Sequence, residues 1–246
     1  MSRSEAPQRS RQSSRVSRLV VVTGGTRGIG AAVAHRFTDS GDRVVALGRA
    51  DCDVTDEAQV RDVFANLGEI DVLVNNAGVS SSAPLAKTTM ADWNTQHDVN
   101  ATGAFLCTRA ALPGMLSRNR GRIVTVASTA GVTGQKYTAA YAASKHAAIG
   151  LMRSVAAEVA GTGVTSNAVC PAFVRTDMTA TTIDRIATAT GRSQDDSERA
   201  LADMSPLGRL LEPDEVAFAV AFLAAPEAAA INGQALVLDG GGGNTA

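Results

Sequence analysis

Three scarcities bound the reading. Cysteine is rare: Cys52, Cys107 and Cys170 are an odd number, far apart, and no C-x-x-C pair occurs. A disulfide framework or zinc knuckle has no support, and the expectation is small buried hydrophobes in a reducing cytoplasm. Long apolar runs are missing, since none approaches the roughly 18 residues of a bilayer span, so no membrane role is expected. Charge of one sign is missing as well. Lys+Arg 23 against Asp+Glu 24 leaves a net charge of -1, without the basic field that a nucleic-acid partner would require. His35, His97 and His146 show no ligand spacing and no carboxylate cluster joins them, so no metal is expected.

What remains is a chain of 246 residues, 45% hydrophobic and 19% charged, a size that suits one domain. Its 23 glycines exceed what chain punctuation requires. The first residues are a different material: Arg3, Arg9, Arg11, Arg15 and Arg18 lie among serines and glutamines, with Glu5 the only acid. No apolar segment follows them, which argues against a secretory signal. Residues 1–17 are expected to be a disordered basic tail, with a transit peptide or polyanion contact as lesser alternatives, and 18–246 the folded domain.

Leu19 to Val22 is a short continuous apolar run of the kind buried on both faces of a parallel sheet. Similar runs are Val44 to Leu47, Val72 to Val74, Ile123 to Val126, Val164 to Val169 and Ala235 to Leu238. Helical patterns fall between them: Ile29 to about Ser40, closed by Gly41; a segment capped by Thr55; about 89–118 with a break at Pro113; 138–160; and 213–224. The alternation predicts an α/β fold, a Rossmann-like doubly wound parallel sheet in a single domain.

The first strand runs into Thr23-Gly24-Gly25-Thr26-Arg27-Gly28-Ile29-Gly30 and then a helix. Gly24 suits a tight turn, Gly28 lets backbone approach a pyrophosphate, and Gly30 permits close helix packing. Gly24, Thr26, Arg27, Gly28, Ile29 and Gly30 are therefore candidate cofactor contacts. Tyr141 and Lys145, four apart in a predicted helix, share one face. A free phenol near pKa 10 is poorly matched to neutral pH, and a neighbouring ammonium is expected to lower it. Ser128, at the end of a strand, lies at the carboxyl edge where open α/β sheets bind ligands. Its hydroxyl could bond a substrate carbonyl while Tyr141 donates the proton. Ser128 as a strand-end cap is the structural alternative.

The T-G-x-x-x-G-x-G spacing, with Asn75-Asn76-Ala77-Gly78 and the Ser128, Tyr141, Lys145 set, resembles the short-chain dehydrogenase/reductase family from about residue 18 to 243. The resemblance implies that the Asn75–Gly78 segment steadies the central sheet and, through Asn75, Ala77 and Gly78, lines the adenosine side, and that Tyr141 is the general acid. It implies that Lys145 holds the nicotinamide ribose. Asn100 corresponds to the family asparagine that holds a relay water; bonding backbone in a mid-helix distortion is its alternative. Pro171-Ala172-Phe173-Val174-Arg175-Thr176 resembles the family's P-G-x-x-x-T, so Pro171, Val174 and Thr176 would hold the carboxamide. Ala172 replaces the usual glycine there. If that position needs φ > 0, alanine strains it; otherwise it narrows the pocket.

After the second strand the sequence reads Gly48-Arg49, where an NAD enzyme usually presents an acid. Arg49 with Arg27 could clamp a 2′-phosphate, so NADPH is preferred and NADH remains possible. Asp51 is close enough to neutralise Arg49 or to serve NAD. Only Ala50 separates Arg49 from Asp51-Cys52-Asp53-Val54-Thr55-Asp56, the segment resembling the family's D-V-T-D that holds adenine through Asp53 and Val54. A parallel crossover needs about a dozen residues, so the third family strand and its helix should be shortened or lost, leaving six substantial strands.

Residues 177–207 carry Met178, Ile183, Ile186, Leu201, Met204 and Leu207 at interrupted helical spacing, read either as core or, by the resemblance, as a lid over substrate. The resemblance further implies a homotetramer or homodimer through the alanine-rich helix 138–160. The leading reading is NADPH-dependent reduction of a 3-oxoacyl or polyketide-like ketone. The alternatives are an NAD-dependent alcohol or hydroxyacyl-CoA dehydrogenase working oxidatively, and a non-catalytic dinucleotide sensor.

Overall fold

The computed structural model describes residues 17–242. Apart from Ser17, the basic-tail expectation lies outside the described residues, as does Gly243 of the terminal glycine run. Six strands, β1 (Leu19–Thr23), β2 (Arg43–Leu47), β3 (Val72–Asn75), β4 (Gly121–Val126), β5 (Val164–Pro171) and β6 (Ala235–Leu238), form one sheet in the order β2-β1-β3-β4-β5-β6. Every pairing is parallel.

The period of two along each strand divides the core. Leu19, Val21, Leu73 and Ile123 pack on one face with Val60 and Phe64 of α2 (Glu57–Leu67), Leu106 and Met115 of α4 (Gly103–Ser117) and Val155 of α5 (Ala139–Glu158). Val20, Val22, Val74 and Val124 pack on the other with Val33 and Phe37 of α1 (Gly28–Asp39) and Val216 and Val220 of α8 (Pro213–Leu223). Covering both faces is why these strands read as unbroken apolar runs. Each fully buried valine contributes about 1.5–3 kcal/mol, so the doubly wound core needs no covalent staple. The three cysteines are free and buried within it.

The lost crossover is borne out. From Gly48 the chain turns at once, with the Asp51 and Cys52 N–H groups both donating to the Gly48 carbonyl at 3.1 Å, and no strand forms between 48 and 56. Strand β2 is therefore the sheet edge, exposed at Arg43 and Ala46, while β1 and β3 are buried throughout.

Two local expectations are corrected. Pro113 does not break its helix. It sits exposed inside α4, where the carbonyl it leaves without an intrahelical partner can meet water. The interruption comes earlier, in a π-helical turn at Asp98–Thr102 between α3 (Met90–His97) and α4. The cap of α2 is Asp56, not Thr55: its carboxylate accepts from the Ala58 and Gln59 N–H groups, while the Thr55 hydroxyl is spent on Asp53.

The 177–207 segment forms α6 (Asp177–Thr190) and α7 (Gln194–Ala202). The core reading of its apolar stripe holds in part. Ile183, Leu201 and Leu210 make a small cluster with Phe173 and Ile186, whereas Met178, Met204 and Leu207 are exposed. Among the described residues no helix is long and apolar enough to cross a membrane.

Candidate active site

The glycine loop joins β1 to α1 at the carboxyl edge. Gly24 and Gly28 have φ of +61° and +52°, left-handed values that side-chain-bearing residues rarely adopt. A methyl group on Gly30 would overlap the Gly24 carbonyl and the Asn76 amide. Two residues not singled out from sequence lock this loop. The Thr23 hydroxyl accepts from the Asn76 and Ala77 N–H groups, both at 3.1 Å, and Asn76 Nδ2 donates to the Thr23 and Gly24 carbonyls, both at 2.9 Å. Their signal was available in the T-G and N-N-A-G motifs, where each stands beside a residue chosen for its own contact.

Helix α1 begins without a side-chain cap, and no acid occupies its first turn. Its free N–H groups and positive dipole end, beside the Gly24–Gly28 cradle, fit a pyrophosphate. Across the cleft, a Cβ on Gly28 would lie 3.3 Å from Thr176, which caps α6 by accepting from the Thr179 N–H. Pro171 and Val174 are buried beside it. Ala172 does not have a positive φ, so its side chain is unstrained and serves as wall, packed on the α1–α8 side of the sheet.

The two arginines expected to clamp a phosphate face different carboxylates. Arg27 lies 3.9 Å from Asp177, both exposed, and Arg49 lies 3.3 Å from Asp53. The expectation that Asp51 neutralises Arg49 is corrected: Asp51 instead accepts from the Gly48 N–H at 2.8 Å, closing the tight turn left by the lost crossover. Asp53 is held below the usual carboxylate range by the Thr55 hydroxyl and N–H, with Arg49 adding to the effect. Neighbouring Val54 is buried. Asn75 points away from the cleft, its Nδ2 donating to the Thr108 hydroxyl at 2.9 Å inside the core, which leaves only its backbone for a nucleotide.

At the candidate reacting centre, Ser128 lies two residues past β4; its hydroxyl accepts from the Ala130 N–H at 3.1 Å and neighbours the Tyr141 phenol. The cap and the contact with Tyr141 are thus one arrangement. Lys145, one turn along α5, is buried, and its Nζ donates to the Val126 carbonyl at 3.0 Å while lying 5.9 Å from the Tyr141 ring centre. Gly78 leaves the space above it open, since a Cβ there would stand 3.5 Å from Nζ and 3.2 Å from Asn100 Oδ1.

Asn100 lies within the π-helical turn. Its Oδ1 accepts from the Val79 N–H at 2.9 Å, and its Nδ2 donates to the Val79 carbonyl and to Ser144 Oγ, which in turn donates to the Tyr141 carbonyl. The distortion and the site are again one feature. The widened turn lets Asn100 tie the loop after Gly78 to the helix that carries Tyr141.

The expected depression of the phenol is not found. Burial pushes Tyr141 up, with the Ser128 hydrogen bond opposing it. Lys145 is itself pushed down to about 8, mainly by burial, so at neutral pH the site holds a protonated phenol and an ammonium close to losing its proton. A phenol that keeps its proton suits donation to a carbonyl oxygen.

A family model described as enoyl-(acyl carrier protein) reductase matches residues 47–242. The 3-oxoacyl-(acyl-carrier-protein) reductase FabG of Vibrio cholerae is 37% identical over 246 residues, covering 91% of this chain and 96% of the relative. A ligand-free aldohexose dehydrogenase of Thermoplasma acidophilum superposes with a TM-score of 0.86 at 35% identity, covering 94% of this chain and 95% of that one. An actinorhodin polyketide ketoreductase variant with NADPH superposes with a TM-score of 0.83 at 34% identity, covering 93% and 98%. This chain belongs to the short-chain dehydrogenase/reductase family of oxidoreductases.

Proposed function

We propose that this protein reduces a ketone of 3-oxoacyl or polyketide-like type to a secondary alcohol, using NADPH. The observation that carries the reading is the convergence of Ser128, Tyr141 and Lys145 at the carboxyl edge, with Lys145 Nζ 5.9 Å from the Tyr141 ring centre and burial keeping the phenol protonated at neutral pH. Bound NADPH supplies the hydride. Ser128 bonds the substrate carbonyl oxygen and fixes its position, and Tyr141 transfers its phenolic proton to that oxygen. Lys145, whose buried Nζ lies beside Gly78, holds the nicotinamide ribose and passes a proton back to Tyr141, with Asn100 positioning the relay. Gly24, Thr26, Gly28, Ile29 and Gly30 cradle the pyrophosphate. Arg49 and Arg27 meet the 2′-phosphate, Asp53 and Val54 the adenine, and Ala77 and Gly78 the adenosine side. Pro171, Val174 and Thr176 hold the carboxamide.

Residues 18–246 act as one catalytic domain in the cytoplasm, with 177–207 as the lid. The exposed Met178, Met204 and Leu207 support an apolar substrate surface on that lid. Phe105 and Leu116 stand exposed on α4 and support pairing of α4 and α5 in a homotetramer or homodimer. The test is NADPH oxidation across a panel of cyclic ketones, acetoacetyl thioesters and aromatic polyketide mimics. Turnover with NADPH on that panel is expected. Inactivity throughout, with tight cofactor binding, would favour a dinucleotide sensor, and NAD-dependent alcohol oxidation alone would favour a dehydrogenase.

A further inference from the structure

Tyr137 has φ of +66°, and among the described residues only Asn119 shares a positive value without being glycine. Asparagine tolerates this region through its short polar side chain, whereas tyrosine carries the full steric penalty. Burial does not offset that penalty, because the Tyr137 side chain is among the most exposed large hydrophobic ones, at 64%. The backbone is held in place by the Ala83 N–H, which donates to the Tyr137 carbonyl at 2.8 Å and ties the segment before α5 to the loop after Gly78. Strain that surroundings hold in this way gathers at ligand clamps.

The surroundings indicate which ligand group is meant. Tyr137 borders a cavity of about 90 Å³ walled by the loop Ser81–Ala83, by Thr88, Asp92 and Gln96 at and beside α3, by Ala139 and Ala140, and by Arg185. Ala139 and Ala140 immediately precede Tyr141, and Arg185 belongs to α6. One cavity thus brings the ring of Tyr137 together with the first turn of the helix that carries Tyr141, with Arg185 of α6 and with the wall from Ser81 to Gln96.

We propose that Tyr137 determines specificity, its ring forming a platform on which a flat ring system of the ketone stacks while Arg185 of α6 closes the other side. The proposal rests on the reductase reading above and names the substrate class within it: ketones carrying an aromatic or fused-ring body. Aromatic faces reward offset stacking and edge contacts, a gain unavailable to a short acyclic chain.

The test uses three variants of the full chain. Y137F keeps the ring, Y137A removes it while retaining the steric penalty, and Y137G removes both. Turnover is measured on a bicyclic aromatic ketone and on a small acyclic 3-oxo ester, with thermal midpoints alongside. The bicyclic-to-acyclic ratio of kcat/KM is expected to fall about tenfold in Y137A and Y137G and to be preserved in Y137F. Y137G alone should raise the midpoint, by about 1–3 °C, as the backbone relaxes. An unchanged ratio in Y137A and Y137G, or an equal loss on both ketones, overturns the proposal. A wild-type enzyme inactive on both ketones overturns the reductase reading itself, and that outcome is visible before any variant is made.

Discussion

On the nucleotide side of the carboxyl edge the backbone is locked from several directions. Thr23 and Asn76 bond the loop itself, Gly30 packs against the Gly24 carbonyl, and Asp51 closes the turn after β2. On the side proposed for the substrate the same edge is bounded by exposed Tyr137, by the 177–207 segment with three exposed apolar side chains and by one backbone bond from Ala83. One half is preorganised to receive a cofactor of fixed shape. The other leaves apolar surface free for a body that varies between substrates. Substitutions in the first half should therefore cost binding and folding together, while those in the second should alter selectivity with little cost to stability.

The sharpest way to break this comparison lies where the halves meet. Tyr141→Phe should lower kcat about 10²–10⁴-fold, the usual worth of a general acid, with the NADPH Kd from a titration within about threefold of wild type. A variant of near-full activity would remove Tyr141 from the chemistry. Next in size, Gly30→Ala should lower the thermal midpoint by several degrees, since overpacking costs about 1–3 kcal/mol, and weaken NADPH about tenfold or more. A loss of affinity without a loss of midpoint would show the loop to be less rigid than its contacts indicate.

The pH profile is a finer probe. Lys145 is charged below about 8 and loses its proton above it, whereas Tyr141 stays protonated because burial raises it. The kcat/KM for reduction, which reports the free enzyme, should be level near neutrality and fall as pH rises through about 8. A profile flat to pH 10 would detach Lys145 from the relay. Smallest is Arg49→Ala, expected to reduce the NADPH-to-NADH preference about fivefold, because an exposed guanidinium acts through solvent. A preference unchanged in this variant would move phosphate recognition to Arg27 alone.

Much of the fold was legible because burial on both faces writes itself as continuous apolar runs, as at Leu19 to Val22. The lost crossover could be counted, since Ala50 alone cannot carry a chain back to a parallel strand. The turn at Asp98–Thr102 could not, because a single wide turn leaves no periodic signature, whereas the proline fifteen residues past Asp98 looked like a break and was not one. The grouping of Ser128, Tyr141 and Lys145 was legible by spacing, but their titration was not. Whether Lys145 lowers the phenol depends on where Nζ points and how far both groups are buried, and Nζ is drawn to the Val126 carbonyl. For Asn75 the side chain serves the sheet-steadying half of its motif: motif position does not reveal which way an amide turns, and Thr108 claims this one. The left-handed backbone of Tyr137 was equally hidden, as nothing in its neighbours' identities demands it.

The central claim, hydride delivery to a carbonyl carbon beside Tyr141, is tested most directly by isotope transfer. The enzyme would be incubated with NADPH deuterated on one face of nicotinamide C4 and a bicyclic aromatic ketone, and the alcohol analysed by mass spectrometry and NMR. One of the two C4-deuterated epimers should yield an alcohol with a single deuterium on the carbinol carbon, and Tyr141→Phe should yield almost none. An alcohol free of deuterium from both epimers, or no alcohol at all from any ketone of the panel, would contradict the account.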